Sequence, residues 1–458
     1  YNAANQPVFD ATVDGGSYRQ YRFDWAGAPA ERPAATATPF GGQMSVAMSW
    51  NGDTRATQWR VLTGPTPGSL GVSATVARNG FETKTTVPPA AYLAVEALDG
   101  SGAVIGRSTT STAGAFFQET AGPPVNGTYA PIVGDFAGST NDDVIYYAAG
   151  AAADYLHVAR GDGTFQDLRL PAINGTYQPV VGDFVGDDRD EILFRSPGNA
   201  LAYLWRFDRN GRSAAAVVDS APLAVPTTVT KAVVLDNRPT YGGPRDEVVW
   251  YAAGASADRV DHFGWPAGGT LSVTSRPITV NGSYQPVTGD FDGNGFGDIF
   301  WYAPGSAPDS TWLFTGTALR STSQRSTNTP VNGSYQVLTG NFSGSPAQSE
   351  VAFYQPGSGA DFLWIFDGGG AYTSHVRTSS LTGPAYVLRG GVDRLMTWTP
   401  GTSPSIWSLD SGATRPSGNS AIGTAYRPII GDFSGAPGTS SVLWYAPGAA
   451  PELLYRGG

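Results

Sequence analysis

Apolar and polar positions alternate along this chain over short runs, and Gly and Pro punctuate the runs. That spacing predicts short strands joined by tight turns. The pattern also recurs. Val125-Asn126-Gly127-Thr128-Tyr129 leads into Pro131-Ile132-Val133-Gly134-Asp135-Phe136. Ile173-Asn174-Gly175-Thr176-Tyr177 leads into Pro179-Val180-Val181-Gly182-Asp183-Phe184. Further copies carry Gly289-Asp290-Phe291, Gly340-Asn341-Phe342 and Gly431-Asp432-Phe433. Two have drifted, to Val233-Val234-Leu235-Asp236-Asn237 and Val387-Leu388-Arg389-Gly390-Gly391. Taking the Asp position as phase gives 135, 183, 236, 290, 341, 391 and 432, with steps of 48, 53, 54, 51, 50 and 41. The chain therefore reads as seven repeats of about 50 residues.

Each repeat holds four strand-like runs. The first is the Pro-Val-Val-Gly-Asp-Phe type. The second is apolar and aromatic, as in Glu247-Val248-Val249-Trp250-Tyr251, and runs into turns such as Pro304-Gly305 and Pro447-Gly448. Tyr203-Leu204-Trp205 and Phe362-Leu363-Trp364 belong to the third, and the polar Thr164–Arg169 to the fourth. Four strands per unit, seven times over, predicts an all-β fold with a seven-bladed β-propeller. The seventh repeat stops at its third strand, Leu453–Arg456, and Gly114–Glu119 ahead of the first repeat matches the missing fourth. Pairing these two ends would close the ring and hide its sheet edges.

One loop carries a metal pattern. Residues 290–298 read Asp-Phe-Asp-Gly-Asn-Gly-Phe-Gly-Asp, which places oxygens at Asp290, Asp292, Asn294 and Asp298 and offers the Phe296 carbonyl. Hard oxygen donors on a glycine-bearing turn suit Ca²⁺ in a structural role. The second repeat keeps Asp183, Asp187 and Glu191 but has Val185 at position 3, so it is a weaker candidate. With its Gly-Asp-Phe segments and this loop, the stretch 113–458 resembles the FG-GAP repeats of integrin α-chain propellers. That resemblance implies the same calcium role for the 290–298 loop.

One third-strand position carries a ring in every repeat: His157, Trp205, His262, Trp312, Trp364, Trp407 and Tyr455. Packing between neighbouring sheets accounts for such rings. The sugar-binding alternative places ligands on Trp205, Trp312, Trp364, Trp407 and Tyr455. Asn126, Asn174, Asn281 and Asn332 fit the glycosylation pattern, yet they recur in phase with the repeats and read as tight turns. No phosphate-binding loop, HExxH or GxSxG motif is present.

Composition narrows the classes. Gly and Pro make up 94 of 458 residues, about a fifth, against roughly 12% in average proteins. Aromatics at 12% exclude a disordered chain. The formal charge of −10 disfavours a nucleic-acid partner, whose footprint is basic. No apolar run approaches the length of a membrane helix, so no membrane insertion is expected. With no Cys, disulfides and thiolate sites are excluded. The chain begins at Tyr1, which reads as a processed mature chain or a fragment, and secretion is the expected localisation.

Ahead of the repeats, strand-like runs at 39–110, ending in Tyr92–Asp99 and Val104–Ser108, resemble a fibronectin type III sandwich. Residues 1–38 add two runs, Pro7–Val13 and Ser17–Trp25. Residues 1–110 together resemble the C-terminal end of arylsulfotransferase-like proteins, whose catalytic propeller would lie upstream as a partner. No catalytic residue carries over. The expectation from sequence is thus a secreted, non-catalytic, calcium-stabilised module that binds glycans. An accessory region of a sulfotransferase-like enzyme and a module adhering to extracellular protein are the alternatives.

Overall fold

In a computed structural model, the described residues are 26–40, 43–66, 68–88, 90, 92–112, 116–207, 217–229, 231–237, 245–254, 258–266, 269–314, 331–344, 348–368, 371–434 and 438–457. The runs Pro7–Val13 and Ser17–Trp25 lie outside them. Every regular element among the described residues is a β-strand, so the protein is all-β.

The chain divides into two compact units. The smaller comprises residues up to Ala37 with Ser45–Val87 and Tyr92–Ser111. One of its sheets has the order Ser69–Ala77, Gln58–Thr66, Tyr92–Leu98, Val104–Arg107, with Ser111–Thr112 also on Tyr92–Leu98. A second has the order Ala34–Phe40, Gln43–Ser49, Glu82–Val87. Alternate residues Met44, Val46 and Met48 are buried, as are Trp59 and Val61, which is the period of two that strands impose. Buried Asp53 shapes the turn before Gln58 by accepting the N–H of Arg55 and of Ala56.

The larger unit is mainly Thr112–Gly458. It is a series of open antiparallel sheets, the first six with their strands in chain order. The first sheet is Ala130–Gly134, Asp143–Tyr147, Tyr155–Ala159, Phe165–Arg169; the second is Gln178–Gly182, Glu191–Arg195, Leu201–Phe207, Val217–Ala224. The third is Lys231–Leu235, Glu247–Tyr251, Asp258–Gly264, Ser272–Ile278. The fourth sheet shows Gln285–Gly289, Asp298–Tyr302 and Ser310–Trp312 among the described residues. The fifth is Gln336–Gly340, Glu350–Tyr354, Ala360–Phe366, Tyr372–Thr378; the sixth is Ala385–Leu388, Arg394–Thr397, Ser405–Ser408, Ala413–Pro416. The seventh takes Arg427–Gly431, Ser441–Tyr445 and Leu453–Gly457, and its fourth strand is Phe117–Ala121.

Packing explains the strand composition. All five residues of the second strand are buried in the first five sheets and in the seventh, so both faces are covered and the run is mostly apolar after its first, polar residue. Each buried cluster draws on two consecutive sheets. Ile145, Leu156 and Ile173 of the first sheet and its exit linker meet Ile192 and Phe194 of the second. The cluster of Val144 and Tyr146 with Leu443, Tyr445 and Leu454 joins the first sheet to the seventh. First strands contact their neighbours in order, and Ala130–Gly134 contacts Arg427–Gly431.

In the sixth sheet Leu388 pairs with Arg394, as Gly134 pairs with Asp143 in the first. The repeat position there is Arg389, two residues before the Gly391 phase read from sequence. The drift hid the register because neither Gly nor Asp marks it.

Candidate functional site

The loop between first and second strands is built around one carboxylate. In the fourth sheet Asp290 Oδ1 accepts the N–H of Gly293 at 2.7 Å and of Asn294 at 3.0 Å, and Oδ2 accepts that of Gly295 at 2.8 Å. Gly293 and Gly295 sit at φ 76° and 85°, a region glycine enters without a Cβ penalty. Asp292 accepts from Asn294, whose side-chain amide also donates to the Phe314 carbonyl at 2.7 Å. The Phe296 N–H donates to Asn294 Oδ1. Asp298, fully buried, accepts from Phe291 and Phe314, both at 2.8 Å. Carboxylate oxygens of Asp290, Asp292 and Asp298 lie within 4.8 Å of one another. Burial, reinforced by the charges of Asp292 and Asp290, pushes Asp298 up to about 8.

The second sheet repeats the arrangement. Asp183 accepts from Gly186, Asp187 and Asp188, the last at φ 62°. Asp183, Asp187 and Glu191 bring carboxylate oxygens within the same 4.8 Å. Glu191 is 1% exposed; its Oε2 accepts the Val185 N–H, while its buried Oε1 has no partner. Burial, and then the charges of Asp187 and Asp183, raise Glu191 well above the usual carboxylate range. Val185 is buried and supplies no side-chain oxygen. Both acidic clusters have the geometry to hold a metal ion.

The proposed ligand-stacking rings separate into two groups. Trp312, Trp364, Trp407 and Tyr455 are buried, and this corrects their assignment to a sugar-facing surface. Trp312 packs edge-on against Trp301, Trp364 stacks on Tyr372 at 3.9 Å, and Tyr455 packs on Phe117 and Trp444. These rings are covered within their own sheets, and Trp364 also packs edge-on against Phe300 of the fourth sheet. Trp205 is half-buried and lines an open cavity of about 230 Å³. Tyr203, two residues earlier on the same face of the strand, is 38% exposed beside it. Tyr177, Phe194, Asn174 and Ser220 complete most of the lining, and no charged residue contributes.

His157 is buried against Tyr146 with Asp167 at 3.4 Å, and His262 lies 3.6 Å from Glu247. His375 is half-buried on an outer strand.

Two recurring devices escaped the sequence reading. Buried acids in or just ahead of the third strand accept backbone N–H groups from the preceding turn and from the exit linker. Asp154 takes Ala148 and Ile173, Asp258 takes Ala252 and Val280, and Asp309 takes Ala303 and Val331. The tyrosine ending the second strand latches the Asn-Gly turn, as Tyr147 does by donating to Gly175 O and accepting from Tyr177 N. Tyr251, Tyr302 and Tyr445 do the same. The signal was a lone Asp or Glu, Asp154, Asp258, Asp309, Asp361 or Glu452, after five of the seven Pro-Gly or Ala-Gly turns at matching phase.

No protein-family model matches the chain, and no curated protein is similar to it. Among solved structures it is similar to the rhamnogalacturonan lyase YesW, at TM-score 0.39 and 13% identity over 94% of this chain and 90% of that one. It is also similar to the rhamnogalacturonan lyase PL11 of Bacillus licheniformis, at TM-score 0.40 and 14% identity over the same shares. These findings correct the resemblance to FG-GAP repeats and to arylsulfotransferase-like proteins, since neither family matches. The expected upstream sulfotransferase-like partner goes with it. The expectation that this chain is not an enzyme is withdrawn.

Proposed function

We propose that this chain is a secreted carbohydrate-binding protein whose seven sheets stand as the blades of a β-propeller, with a small sandwich ahead of it. The observation that carries the carbohydrate reading is a broken repeat. Trp312, Trp364, Trp407 and Tyr455 are buried, whereas at the equivalent position Trp205 is half-buried and, with the exposed Tyr203 beside it, lines an open cavity between the 172–177 linker and the second sheet. Exposed aromatic faces beside amide and hydroxyl groups match the mixed surface of a sugar. Buried clusters that run from each sheet to the next and from the seventh to the first support the blade arrangement.

Calcium is the proposed cation of both acidic clusters. Their donors are all oxygens, which suits a hard ion. The unpartnered Glu191 Oε1 is a buried oxygen that a cation would satisfy. Asp290, Asp292, Asn294 and Asp298 would hold one ion, with Asp183, Asp187 and Glu191 holding the other. Bound there, calcium offsets the mutual repulsion of three converging acids.

A glycan array run on the chain with calcium, and again with EDTA, tests both parts. A defined sugar signal is expected with calcium, weakened in EDTA. A blank array from folded protein in both conditions would sink the carbohydrate reading.

A further inference from the structure

We infer that the cavity between the 172–177 linker and the second sheet is a subsite for one uncharged pyranose ring, seated on Tyr203. This rests on the carbohydrate reading above and specifies its ligand class.

The argument begins with strand geometry. Side chains two apart on a strand share a face, so Tyr203 and Trp205 present adjacent rings. Trp205 is fixed edge-on against Phe194 at 5.1 Å, and Phe194 is fixed in turn against Tyr177 and Tyr147. The wall is therefore rigid before any ligand arrives, which lowers the ordering cost of binding. Tyr177 is held through its own N–H to the Tyr147 hydroxyl and through its hydroxyl to the Asn174 carbonyl. Tyr203 pairs across the hairpin with Pro222, and Trp205 with Ser220, which places the Ser220 hydroxyl at the rim.

Chemistry then selects the occupant. The two rings offer apolar faces for the C–H side of a sugar, while exposed Asn174 and Ser220 offer donors and acceptors for its hydroxyls. A volume of about 230 Å³ admits a single ring rather than a long oligosaccharide. Charge excludes the acidic sugars. No Arg or Lys lines the cavity to pair a carboxylate or sulfate, and the whole chain carries −10. A uronate or sulfated sugar would enter without a counter-ion.

The test uses the full chain on an array bearing neutral, uronate and sulfated glycans, with Tyr203→Ala, Tyr203→Phe and Asn174→Ala beside the parent. Tyr203 is exposed, and unchanged thermal unfolding of Tyr203→Ala shows that the fold is intact. Neutral glycans should bind the parent, and Tyr203→Ala should lose about tenfold or more, the effect of truncating a central aromatic anchor. Tyr203→Phe should retain binding because the ring is kept. If the parent binds but Tyr203→Ala and Asn174→Ala bind equally well, this subsite is wrong while the carbohydrate reading stands. Preference for uronate or sulfated glycans overturns the neutral assignment. No glycan signal from the folded parent overturns the carbohydrate reading and this subsite with it.

Discussion

The backbone N–H of Asp142 donates to the Asp432 carbonyl at 2.8 Å, and the Asp432 N–H donates back to Asp142 Oδ2 at 2.7 Å. The two residues are 290 apart in sequence and tie the first sheet to the seventh. The same reciprocal pair joins Asp135 with Asp190, Asp183 with Asp246, Asn341 with Asp393, and Arg389 with Ser440. Asp290 and Ser349 form a longer version at 3.2 Å. Sheets without a shared strand are thus stitched by one side chain each. Asp142→Ala leaves the Asp432 N–H without its acceptor and should cost about 1–3 kcal/mol. The urea midpoint measures it, and a midpoint equal to the parent's would show that the pair contributes nothing.

The buried acids beneath the turns should matter as much. Asp309 accepts two N–H groups at 2.6 Å each, from Ala303 and Val331. Asp309→Ala strands both in a buried setting, and a loss of about 2–4 kcal/mol is expected. Asp309→Asn keeps one acceptor and should fall between. Equal unfolding midpoints for Asp309→Ala and the parent would refute the role.

Calcium at the acidic clusters makes stability depend on the ion. Metal that binds only the folded chain stabilises it by mass action. Parent protein should melt higher with millimolar calcium than with EDTA. Asp290→Ala should lower the calcium content of purified protein, and Glu191→Gln should lower it separately. Unchanged calcium per chain in Asp290→Ala would eliminate the 290–298 site.

Asp143 gives the fold a pH signature. Burial pushes it up to about 8, against N–H bonds from Ala159 and Ala137 that favour its charged form. Between the ordinary carboxylate value of 3.8 and about 8, the folded chain holds a proton that the unfolded chain has released. Its contribution to stability therefore falls as pH rises through that window and levels off above it. Urea midpoints from pH 5 to 9 in EDTA should decline more steeply for the parent than for Asp143→Asn. Parallel slopes would remove Asp143 as the cause.

Much of the strand pattern was legible because turns and apolar runs are local. Pro-Gly turns and the Gly-Asp-Phe segments located the first and second strands of most sheets, and the Phe116–Glu119 part of the segment foreseen as a closing strand overlaps Phe117–Ala121. The fate of the third-strand rings was not legible. A tryptophan packed between sheets and one facing a ligand occupy the same alternating position, and only the neighbouring sheet decides between them. The acids had the same problem in reverse. Asp154, Asp258 and Asp309 look like surface turn residues until their buried N–H partners are seen. The 183–191 loop ranked below 290–298 because Val185 breaks the spacing, yet Glu191 reaches the same cluster on its longer side chain.

The outer strand of the seventh sheet carries a consequence for synthesis. Thr120 hydrogen-bonds to Leu454 across 334 residues of chain. At the ~5–20 residues per second of translation, Phe117–Ala121 leaves the ribosome roughly 20–70 s before its partner exists. Through that interval its edge is an open template for any other nascent strand. Each of the earlier sheets completes from contiguous sequence as it emerges. The pairing of Phe117–Ala121 with Leu453–Gly457 is then a slow, long-range step, and a ribosome stalled before Leu453 would leave the seventh sheet half-paired with that edge open.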